Sequence, residues 1–88
     1  MDVSDIKAIG FFKLDEEKKN DYRDYIWNAV EETFLEERKR YGHFTTLRRI
    51  VDQIEWMEEE FIEDEDYEMC YLLNNCKEKL NKKYGMSV

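Results

Sequence analysis

Proline does not occur in this chain of 88 residues, and glycine occurs only at positions 10, 42 and 85. An all-β domain needs a turn about every ten residues, and turns lean on those two residue types. Helices are expected instead, as the many Glu, Lys, Leu and Arg residues favour. With a single histidine, no paired-histidine metal site and no HExxH zinc site can form. Cys70 and Cys76 lack a second pair at zinc-ligand spacing; on one helix their Cα atoms would stand about 9 Å apart, beyond disulfide reach. Both are read as reduced, structural thiols. There is no glycine-rich phosphate loop and no nucleophile elbow. Asp64, Asp66 and Glu68 imitate the start of a calcium loop, but Met69 stands where that loop needs glycine and Asn75 where it needs glutamate. No enzymatic activity, metal or cofactor is expected. No stretch approaches the length of a membrane span and none joins a basic region to an apolar run, so a cytoplasmic protein is expected.

What is present is acid. The formal charge is −8, which opposes nucleic acid and anionic membranes as direct partners and draws in basic proteins. Between Ile50 and Cys76 lie ten carboxylates and no Lys or Arg; within residues 55–68 nine of fourteen positions are acidic. Disorder is excluded there by the interleaved Ile54, Trp56, Met57, Phe61, Ile62 and Tyr67. On a helical wheel Leu47, Ile50, Val51, Ile54, Met57 and Phe61 form one core-facing stripe, while Asp52, Glu55, Glu59 and Glu63 fall opposite with Trp56 among them. An indole in that place either packs against a further element or stands exposed as a binding anchor.

The chain reads as a single domain, 1–88, whose 42% apolar and 15% aromatic content suits one modest core. An all-α bundle of three main helices is expected, about 16–41, 46–63 and 66–84, plus a short N-terminal helix or extended segment. Asp15 caps the first long helix, and Gly42 ends it behind Arg38, Lys39 and Arg40. Tyr22, Ile26, Ala29, Val30 and Phe34 make its apolar face, with Trp27 at the core edge. His43 and Phe44 are read as the connection, with Thr45 or Thr46 opening the next helix. The last helix turns Met69, Leu72, Leu73, Cys76 and Leu80 inward and ends at Gly85. Near the N-terminus, Asp2 or Ser4 is the cap, and Phe11 and Phe12 are both expected to be buried. Arg38 to Arg40, Arg48 and Arg49 are expected to pair with the chain's own glutamates.

The segment LEERKRYG at 35–42, closing a helix ahead of a mixed apolar and acidic helix and a final leucine-bearing one, resembles the helical immunity proteins of the colicin D type. Those small acidic proteins block a cognate tRNA-cleaving toxin. The resemblance implies a class only, an acidic helical protein that occludes a basic active site, and it carries over no site residue.

The residues themselves point to an inhibitor of a basic nucleic-acid-handling protein. A toxin nuclease met by an immunity protein or antitoxin fits, as does a host defence or polymerase enzyme met by a phage product. Asp52, Glu55, Glu59, Glu63, Asp64 and Asp66 would mimic nucleic-acid phosphates around Trp56 and Tyr67, from a monomer or homodimer. The rival is a non-catalytic adaptor that self-associates through Trp56, Leu35 and Ile62.

Overall fold

The computed structural model describes residues 3–85. Four α-helices follow one another: α1 (Val3–Ile9), α2 (Glu16–Tyr41), α3 (His43–Glu63) and α4 (Tyr67–Tyr84), with a 3-10 turn at Phe11–Lys13 between the first two. The expected three-helix bundle with a short N-terminal helix is therefore what the chain forms. The 26 residues of α2 set the 40 Å long axis. No helix among the described residues is long and apolar enough to cross a membrane.

Local chemistry accounts for the boundaries. Asp15 opens α2 by accepting a hydrogen bond from the Lys18 N–H at 2.8 Å. Gly42 closes it with φ +87°, a conformation costly for any residue carrying a Cβ, and its N–H reaches the Arg38 carbonyl at 3.0 Å. The same residue begins α3, since the Thr46 N–H already bonds the Gly42 carbonyl at 3.1 Å. One glycine thus makes the whole connection, and His43 and Phe44 are helical rather than loop, contrary to expectation. His43 is half-buried, its ring edge-on to Phe34, and Nε2 donates to the Tyr84 carbonyl at 2.7 Å, which ties the start of α3 to the end of α4.

Three residues turn α3 into α4. The Asp66 N–H bonds the Phe61 carbonyl and the Glu65 N–H that of Ile62, both at 2.9 Å, while Glu65 takes φ +57°. This is a Schellman closure with glutamate in the left-handed position that glycine usually fills. Gly85, by contrast, ends α4 at φ −72° and supplies no left-handed turn.

The core is the one the periodicity lays out. Tyr22, Ile26 and Phe34 enter from α2, Ile50, Ile54 and Phe61 from α3, and Met69, Leu72, Leu73, Cys76 and Leu80 from α4. Leu47, Val51, Met57 and Trp27 pack at its edge. Ile6 and Phe11 close one end of it. Phe12 is half exposed, because the tight turn that sends Phe11 inward sends its neighbour out, under the Lys13 ammonium. Of the two expected N-terminal caps, Asp2 lies outside the described residues, and Ser4 sits inside α1 rather than ahead of it.

Candidate interaction face on α3

Ten carboxylates crowd residues 52–68; Glu65 makes the turn after α3, and the fold sorts the other nine into two sets. One set is committed internally. Lys7 on α1 reaches the Asp64 carboxylate at 2.9 Å and that of Glu60 at 3.3 Å, and the bond to Asp64 is the main cause that raises the Lys7 pKa. The same ammonium donates to the Glu60 carbonyl at 3.2 Å, near the negative end of the α3 dipole. Glu58 pairs with Lys77 at 3.2 Å, linking α3 to α4. Glu68 meets Lys19 at 2.6 Å, the ammonium stem lying buried between α2 and α4.

Asp66 is committed most deeply. It is 1% exposed; Oδ1 caps α4 by accepting from the Met69 N–H at 3.3 Å, and Oδ2 accepts from the buried Phe11 N–H at 2.6 Å. The expectation that Asp66 contacts a partner is thereby overturned, since its oxygens are turned inward to satisfy backbone donors. Asp64 is half exposed, but Lys7 neutralises it, so it does not extend the free acidic row.

The second set is Asp52, Glu55, Glu59 and Glu63. All four are exposed, and among the described residues no lysine or arginine lies within ion-pair distance of any of them. They follow the outer side of α3 through three turns, spanning about 16 Å at the usual helical rise. Trp56 stands among them and is 63% exposed, so the indole is an open surface and not a second packing contact. Ile62, half exposed, flanks the row.

Tyr67 is as exposed as Trp56 but belongs elsewhere. It opens α4, and with Tyr71, Leu72, Glu68 and Arg23 of α2 it lines a shallow cleft between α2 and α4. Trp56, expected as an anchor together with Tyr67, does not line this cleft. Tyr71, at 70% exposure the most exposed large hydrophobic residue among the described residues, escaped the sequence reading; its spacing of four from Tyr67 was the available signal. Leu35, assigned to a self-association surface with Trp56, is half-buried against the core.

A second groove of about 480 Å³ runs between α2 and α4, with Trp27 on its wall and the Lys79 ammonium 4.8 Å from the indole centroid. Trp27 packs at the core edge as expected. No protein family model, curated protein or solved structure matches the chain.

The basic residues correct another expectation. Among the described residues, Arg38, Lys39, Arg40, Arg48 and Arg49 form no ion pair, although glutamates precede them on α2. Three of them lie over rings: Arg49 is 4.5 Å from the Tyr41 centroid, Arg40 is 6.0 Å from it, and Arg38 is 6.0 Å from that of Phe34. These cations gather where Gly42 joins α2 to α3, the end of the bundle that Tyr84 also reaches. The chain is thus charged oppositely at its two ends.

Proposed function

We propose that the protein is a stoichiometric inhibitor whose α3 outer face occludes the cationic groove of a nucleic-acid-handling protein, a toxin nuclease or a defence enzyme. The observation that carries this is the row of Asp52, Glu55, Glu59 and Glu63, left without internal cations beside an exposed Trp56. Carboxylates at one per turn present repeated negative charge to a groove built for phosphates, and such a field raises encounter rates about 10- to 1000-fold at low salt. Charge alone gives little affinity. Trp56, with Ile62 beside it, supplies the desolvated contact that holds the complex once formed.

The test is capture from a lysate of the host, or of cells expressing neighbouring genes, at low salt and again near 0.5 M, where the Debye length falls to about 4 Å. A basic partner held at low salt and released at high salt is expected. The captured protein must then lose nuclease or nucleic-acid-binding activity on adding one equivalent of inhibitor. Changing Glu55, Glu59 and Glu63 together to Gln abolishes capture if the row acts electrostatically. Undiminished capture by that variant overturns the mechanism.

A further inference from the structure

The outer side of α3 carries a pattern that inhibition alone does not require. Its cations, Arg48 and Arg49, sit in the first two turns, and from Asp52 onward its charges are acidic. Phe44, 60% exposed, stands near one end of this side and Ile62, 51% exposed, near the other. All four are exposed, although Arg49 lies over the Tyr41 ring and Phe44 lies edge-on to that of His43.

We propose that two copies of the chain pair through this side of α3, antiparallel about a two-fold axis. Across an antiparallel helix pair, level residues have numbers that add to a constant. A constant of 106 to 108 sets Phe44 level with Ile62 of the second copy, Arg48 with Glu59, Asp52 with Trp56, and Thr45 with Glu63. Arg49 then lies within a turn of both Glu59 and Trp56. A two-fold operation brings together residues on the same flank of the seam. At about 100° per residue, Phe44 and Ile62 share one direction, Arg48 and Glu59 differ by about 20°, and Asp52 and Trp56 by about 40°. Asp52 and Glu55 of the second copy are also level, but they fall on opposite flanks.

Register, the outer charge pairs and the apolar contacts therefore favour one arrangement, against the repulsion between Asp52 and Glu55 of the two copies near the axis. Parallel pairing would set arginine against arginine and acid against acid, a costly juxtaposition. Each interface holds two Phe44–Ile62 contacts and two Arg48–Glu59 pairs, closing with no unmatched patch left to propagate a chain. The pairing depends on the α3 face alone and not on which protein that face otherwise captures. If the inhibitor reading also holds, target and second copy compete for one surface.

Sedimentation velocity on the full chain at tens of micromolar should give twice the 10.9 kDa chain mass. Arg48→Glu with Arg49→Glu, or Glu55→Arg with Glu59→Arg, each weakens the dimer at least about tenfold by setting like charges together, so each variant alone sediments as a single chain. An equimolar mixture of the two variants regains the two-chain mass, because every reversed pair again meets its opposite, and two misfolded chains could not restore each other in this way. Trp56→Ala weakens the dimer with the helical far-UV spectrum unchanged. A wild-type monomer at these concentrations, an assembly larger than two, a dimer indifferent to either reversal or to Trp56→Ala, or a mixture that stays monomeric overturns the proposal. Because the readout is mass and not capture, failure here leaves the inhibitor reading to be judged by its own experiment.

Discussion

Replacing Asp66 by alanine removes two bonds at once. The α4 cap is lost, at a usual cost of about 0.5–2 kcal/mol. The Phe11 N–H, buried and bonded to Asp66 Oδ2 at 2.6 Å, is left without an acceptor, which costs about 1–3 kcal/mol more. The two losses share one side chain and are not strictly additive, so about 2–4 kcal/mol is expected. For a domain of this size that lowers Tm by about 10–25 °C. Urea unfolding followed by far-UV circular dichroism measures the loss directly. Asp66→Asn separates the two parts: asparagine caps a helix as well as aspartate does, but its amide nitrogen then faces the Phe11 donor. Its loss should be the smaller, about 1–2 kcal/mol. If Asp66→Ala stays within about 0.5 kcal/mol of wild type, the range of an ordinary surface substitution, the cap and the Phe11 bond do not hold the fold, and Asp66 returns to the pool of groups free to meet a partner.

Glu65→Gly should stabilise the chain by about 1 kcal/mol, since glycine adopts the φ of +57° without the Cβ clash that glutamate bears there; a loss of stability in thermal melts would contradict the Schellman assignment. Burial pushes the Cys76 thiol up to about 11 and raises Cys70 as well, so neither should react appreciably with Ellman's reagent at pH 8 until urea is added, and Cys76 should be the slower of the two. Rapid native labelling of Cys76 would show that α4 is not packed as described. Glu31 bonds Lys83 and the Tyr84 hydroxyl, and the Lys83 bond is the main cause that holds its carboxyl below the usual glutamate value. Its contribution is complete above the ordinary glutamate pKa of 4.5 and fades as pH falls through the lower folded value, so acid titration of Glu31→Gln should show a shallower loss of stability in that window than wild type does. Equal slopes would refute it.

Element type and core were legible because apolar spacing states them directly. Every inward position assigned to α4 is buried, and the α3 stripe is buried or half-buried throughout. Helix α3 begins three residues earlier than expected because a glycine at positive φ can turn the chain alone, and nothing in His43 or Phe44 announces whether they lie before or after that turn. The fate of each acid was not legible. Glu63, Asp64 and Asp66 look alike in sequence, yet only tertiary contacts with Lys7 and Phe11 decide that the first stays free, the second is neutralised and the third is buried. Wheel geometry did place Asp52, Glu55, Trp56 and Glu59 together on the outside, since a helix face follows from spacing alone. That Tyr67 lines the cleft between α2 and α4 was not legible, because it lies on the next helix, whose rotation against α3 no local pattern records.

The cations around Gly42 and the open carboxylates farther along α3 give the molecule a lengthwise polarity. In dilute salt, where the Debye length is long, such a body is turned by an external field once within about that distance, so a positively charged cleft of the kind proposed would meet it acid end foremost and few collisions would be wasted on wrong orientations. Raising ionic strength should then slow arrival far more than it hastens departure, an asymmetry that stopped-flow mixing would record as a falling association rate with a nearly steady dissociation rate.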